Sequence, residues 1–81
     1  MNKVNVNIRR FRELMGLTRE QIASELNMSP SGFGKIERGE VDITISRLLD
    51  ISRVLNVPPS SLIFFDLEVF FKNQQNKISK E

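Results

Sequence analysis

The chain contains no cysteine and no histidine. Without cysteine there is neither a disulfide framework nor thiol chemistry, and without either residue a metal site loses its usual ligands. Both absences suit a reducing cytoplasm, which is the expected location. Long apolar runs are missing as well. The longest covers residues 62–65, so neither a signal peptide nor a membrane span is expected. There is no phosphate-cradling glycine loop and no carboxylate pair in a plausible cleft. The expectation is therefore a protein that is not an enzyme and needs no cofactor.

What is present fits one small domain. The 81 residues are 40% hydrophobic, which is enough for a modest helical core. The net charge is only +2, but it is uneven. Residues 1–40 carry seven Lys/Arg against five Asp/Glu, while residues 41–81 carry five of each. That bias fits a nucleic-acid partner without establishing one.

The stretch over residues 18–39, TREQIASELNMSPSGFGKIERG, organises the rest. Ile22, Ala23 and Leu26 recur at helical spacing, and Asn27 is a residue that can take the left-handed conformation ending a helix. Ser29 followed by Pro30 is an N-cap with a first-turn proline, and Gly39 stops the helix that follows. Phe33 and Ile36 form that helix's buried face. The alanine in the first helix lets the second cross it closely. This pattern predicts two short amphipathic helices joined by a tight turn, the layout of a helix-turn-helix.

LTREQIASEL together with KIERGE resembles the XRE family of helix-turn-helix proteins, which includes the phage lambda-type repressors and Cro proteins. The likeness covers roughly residues 5–64. It implies an all-α fold, a compact bundle of about five short helices, over residues 1–64. A Phe-rich extension follows over 65–71, then a polar, disordered tail over 72–81. The resemblance also implies that the helix over 30–38 enters the major groove of double-stranded DNA. By family position Ser31, Gly32 and Lys35 face bases, and Arg38 faces the backbone. Ser29 borders the same face. Arg19 stands where the family commonly has glutamine and is expected to make a phosphate or outer-base contact. In the family, the arginine matching Arg12 pairs with the glutamate matching Glu37, a task suited to a guanidinium fork.

Taken in order, the helices are expected at about 5–15, 19–26, 30–38, from Thr44 onward, and 59–64. Val4, Ile8, Phe11 and Met15 form the first apolar stripe, and Arg9 and Arg10 are read as solvated. Thr18 and Gln21 make a capping box. The N-terminus of the second helix is read as facing the DNA backbone. Two glycines in the third helix, at 32 and 34, weaken it or let it sit deep in the groove. Its exposed positions are read as Pro30, Ser31, Gly32, Gly34, Lys35 and Arg38. Glu40 and Asp42 place carboxylates near the expected phosphate line, which lowers the expected non-specific affinity. In the fourth helix Ile43 and Leu48 form a hydrophobic staple, and Ile45, Leu48, Ile51, Ser52 and Leu55 make the core face. Arg47, in its first turn, is either a phosphate contact or solvent-exposed. Leu62 and Ile63 close the bundle.

Four of the six phenylalanines fall within residues 64–71. Either the last helix lengthens and folds back, or Phe65, Leu67, Val69, Phe70 and Phe71 form a dimer interface through a helix or a strand. The leading expectation is a sequence-specific regulator acting as a homodimer on a palindromic operator, most simply a repressor that works by steric occlusion. The alternative is a protein-binding module, such as an antitoxin, whose Phe-rich segment grips a partner protein.

Overall fold

The computed structural model describes residues 3–66. Helix α1 spans Val4–Leu14, α2 Arg19–Glu25, α3 Pro30–Glu37, α4 Ile45–Leu55 and α5 Pro59–Phe64. No strand occurs among the described residues, so the all-α, five-helix expectation holds. Leu67, Val69, Phe70 and Phe71, expected to mediate dimerisation, lie outside the described residues, as does the polar segment 72–81.

Three helices start on hydroxyl caps. Thr18 Oγ1 accepts from the Gln21 amide at 3.0 Å, Ser29 Oγ from Gly32 at 3.0 Å, and Thr44 Oγ1 from Arg47 at 3.1 Å. Gln21 completes the box by accepting from the Thr18 amide at 2.8 Å. Each cap satisfies one amide that the first turn would otherwise leave without a partner.

Four helix ends share one closure. Gly16, Asn27, Gly39 and Asn56 all have φ between 56° and 74°. The next residue's amide then reaches back five positions: Leu17 to Arg12, Met28 to Ala23, Glu40 to Lys35 and Val57 to Ser52. Glycine and asparagine occupy these positions because the left-handed region penalises a Cβ on most other residues.

The core consists of Ile8, Ile22, Ala23, Leu26, Phe33, Ile36, Ile51, Leu55 and Leu62, drawn from all five helices. Burying a large aliphatic or aromatic side chain of this kind contributes about 1.5–3 kcal/mol. Val4, Phe11, Leu17, Met28, Ile43, Leu48, Val54 and Val57 pack around its rim. The staple residues Ile43 and Leu48 are therefore both drawn to the core, though each stays half-buried.

Helix α1 works as a tie bar. Asn5 Nδ2 donates to the Glu37 carbonyl at the end of α3 at 3.2 Å. Asn7, fully buried, donates to the carbonyls of Leu62 and Phe65 at 2.9 and 3.0 Å and so closes the end of α5. Lys3 pairs with Asp66 at 3.5 Å on the same side.

Four apolar or exposed assignments change. Met15 is 51% exposed, because it is the C-cap residue beyond the last packed turn of α1. Ile45 is 78% exposed, being the first residue of α4 and ahead of the turn where Leu48 meets the core. Ile63 is 41% exposed: α5 is only six residues long, and the residue after buried Leu62 is rotated about 100° away from it. Gly34 is buried where exposure was expected, since the Arg38 side chain lies over it.

Candidate nucleic-acid interface

The outward face of α3 carries Ser31, Lys35 and Arg38, all exposed, with Gly32 half-buried between them. Phe33 and Ile36 on the opposite face bury against α1 and α2, which fixes the helix's rotation. Because Ser29 caps the helix and Pro30 presets its first turn, Ser31 and Lys35 stand one turn apart on a defined surface. A Cβ at position 32 would come within 3.1 Å of Ser29 Oγ, so the missing side chain leaves room for the cap. Ser29 therefore spends its hydroxyl as an acceptor inside the helix start.

Beneath this face lies a buried ionic triad. Glu37 has a side chain only 1% exposed and receives two arginines. Arg12, from α1, donates through Nε to Oε2 at 2.6 Å and through Nη2 to Oε1 at 3.2 Å. Its Nη1 reaches the Leu17 carbonyl at 2.8 Å, which ties in the turn before α2. Arg19, the first residue of α2, adds Nε to Oε1 at 2.9 Å. The hydrogen bond to Glu37 holds the Arg12 guanidinium above its ordinary pKa, and partial desolvation opposes this. A carboxylate this deep persists only because fully directed donors replace its water. Arg19, with its side chain 43% exposed, keeps its outer edge toward solvent on the side of α3.

The remaining assigned residues are less free than the sequence suggests. Arg38 Nε binds Glu40 Oε2 at 2.5 Å. The same bond raises the Arg38 pKa and holds the Glu40 carboxyl below its ordinary value. Arg47 is half-buried and directs Nη1 at the Leu26 carbonyl at 3.4 Å, where it closes the end of α2. Phe65 folds back: its ring meets Phe11 edge-to-face at a centroid distance of 5.6 Å, and the residue is half-buried against its own chain. Helix α5 does not lengthen to achieve this, because Phe65 already has extended backbone.

Residues that sequence reasoning passed over are Asn5 and Asn7. Both sit in α1 beside apolar neighbours, and their partners are 32 to 58 positions away. The available signal was the VNVN repeat itself, which places an amide where the helix stripe asks for an apolar group. No cluster of potential metal ligands occurs among the described residues. Among them, too, no helix is long and apolar enough to cross a membrane.

A capped helix-turn-helix presenting a polar, cationic α3 face defines a DNA-binding module. The Helix-turn-helix family model (HTH_3) matches residues 8–62, and the chain belongs to that family, the XRE-type DNA-binding transcription regulators. The match begins at Ile8 in α1 and ends at Leu62 in α5, both fully buried core residues.

Solved structures agree in fold. The restriction-modification controller protein C.AhdI from Aeromonas hydrophila superposes with a TM-score of 0.71 at 26% identity, over 75% of this chain and 92% of that one. The controller C.Esp1396I gives 0.64 at 29% identity, over 99% and 94%. SinR, a master regulator for biofilm formation solved in complex with DNA, gives 0.67 at 25% identity over 73% and 95%. No curated protein matches the sequence closely enough to count as a relative.

Proposed function

We propose that this chain reads an inverted-repeat operator as a homodimer and represses transcription by occupying it, in the manner of a small restriction-system controller. The α3 surface carries the reading: a cation and a hydroxyl one turn apart, mounted on a core that cannot rotate. Two copies would place two α3 helices in successive major grooves about 34 Å apart. Lys35 is assigned to guanine O6/N7 and Ser31 to a base edge or phosphate, with Gly32 allowing close approach. Arg19, Arg38 and Ser29 are assigned to the backbone, where contacts set register rather than sequence. Arg47, engaged with Leu26, is assigned to positioning α2 rather than to a phosphate.

The controller reading is supported by the near end-to-end match with C.Esp1396I. Dimerisation is assigned to the exposed apolar residues of α4 and α5, namely Ile45, Leu49, Ile63 and Phe64, together with the segment 67–71. The two helices pack against one another, so the residues belong to neighbouring elements.

Selection from a random duplex library at about 0.15 M salt tests this, because non-specific charge attraction is weakened there. An inverted repeat with half-sites near one helical turn apart is expected. In a parallel selection Lys35→Ala should lose preference at one base pair of each half-site while the repeat spacing stays. Single half-sites would remove the dimer, and no enrichment would shift the weight to a protein partner.

A further inference from the structure

We propose that Glu40 is a specificity-determining residue, whose carboxylate holds Arg38 against α3 in the place of a DNA phosphate until duplex displaces it. The inference rests on the DNA-binding reading above and adds a device that weakens wrong complexes.

The contact is built from fixed parts. Gly39 takes φ of 74°, and the Glu40 amide donates to the Lys35 carbonyl at 2.9 Å, so the Glu40 backbone is locked to the end of α3. The carboxylate then meets Arg38 Nε at 2.5 Å. The guanidinium lies back along the helix over Gly34, where a Cβ would stand only 2.9 Å from Nη1. Glycine at 34 thus opens the bed in which the paired arginine rests.

The pairing fits a wider pattern. Among the described residues Arg9 pairs with Glu13, Arg12 and Arg19 share Glu37, Arg38 takes Glu40, and Arg53 takes Asp50. Lys35 is the cation of α3 that forms no ion pair there. The reading face therefore shows duplex little more than one net positive charge.

Sequence-independent affinity depends on how many phosphates are neutralised, so an arginine already holding a carboxylate contributes little to it. A guanidinium can exchange one planar or tetrahedral oxyanion for another without changing its own protonation. The exchange is favoured when the helix is fully seated and the phosphate position is set by Lys35 and Ser31. In a loose, sliding complex Glu40 keeps its arginine. Discrimination then grows by penalising the wrong partner rather than by tightening the right one.

The test measures binding of the whole chain to a mixed-sequence duplex between 0.05 and 0.2 M salt. Glu40→Gln should steepen the slope of log K against log salt by about 0.9, the value for one added phosphate contact, tightening binding roughly tenfold at 0.05 M and only a few-fold at 0.2 M. In an Arg38→Gln background the same change should leave the slope where it was. Asp42→Asn removes an equal charge two residues on, from a side chain that forms no ion pair among the described residues, and should not alter the slope. An equal effect of Glu40→Gln and Asp42→Asn, or one that survives without Arg38, would overturn the proposal by reducing Glu40 to bulk charge. Normal binding by the unaltered chain with no response to Glu40→Gln would overturn it while leaving the DNA reading intact. No binding by the unaltered chain to the mixed-sequence duplex or to a selected inverted repeat would overturn both.

Discussion

Glu37 shows how much one side chain can decide. Its carboxylate is inside the molecule, and its two arginine partners differ in kind. Arg12 is buried and bidentate, while Arg19 is nearly half exposed and adds one bond. Arg12→Ala should therefore lower stability by about 3 kcal/mol, read as a shift in urea midpoint, because it strands a buried charge. Arg19→Ala should cost under about 1 kcal/mol, since solvent screens an exposed partner. Equal losses would mean that the triad shares its charge evenly. The Arg12–Glu37 pair was legible only by resemblance to the family, because nothing in local spacing joins residues 25 positions apart. Arg19 on Glu37 was not legible at all. The first residue of a helix ordinarily faces water, and only the folded position of α3 brings a carboxylate beneath it. At the neighbouring surface pair, Glu40 is held below its ordinary carboxyl value of 4.5. Its contribution is therefore complete above that value and is lost as pH falls through the lowered one.

At the scale of the element, the starts and stops of the helices were the most legible features. Caps and left-handed closures are written within six residues, so Thr18, Ser29, Asn27 and Gly39 could be read directly. Burial was less legible where it depends on what covers a position. Ile45 and Ile63 have the composition of a core yet stand at the ends of short helices, where no element reaches them. Gly34 has the opposite history, hidden by a side chain four residues on. The two glycines of α3 give a separable prediction. Gly34→Ala meets only the flexible tip of Arg38, so the gain in helix propensity, up to about 1 kcal/mol, should appear as a raised melting temperature. Gly32→Ala meets the Ser29 cap hydroxyl at 3.1 Å and should gain much less or lose stability. A larger gain at 32 than at 34 would contradict the capping geometry.

At the scale of the whole molecule, the neighbouring helices α4 and α5 both leave apolar side chains exposed. Phe64 is 78% exposed, and Ile63, Leu49 and Ile45 are exposed as well. On the proposed homodimer, the unaltered protein should sediment as a pair, and an Ile63→Ser/Phe64→Ser double variant should keep its helical circular dichroism but sediment as a single chain at the same concentration. A paired variant would place the contact in residues 67–71 instead. The number and order of the helices followed from the sequence. Their mutual fastening did not, because Asn5 and Asn7 act on carbonyls contributed by α3 and α5.

That fastening has a consequence for the order in which the protein is made. Synthesis delivers α1 first, at about 5–20 residues per second. Yet Arg12 and Asn5 must wait for Glu37, and Asn7 must wait for Leu62 and Phe65. The buried side of α1 therefore stays without its final partners until residue 65 has left the ribosome. Residues 18–39, although complete as a local motif much earlier, gain their rigid seat only then. A nascent chain stalled before α5 would carry the helix-turn-helix without the clamp that aims it, so the ability to grip DNA should arrive late and all at once.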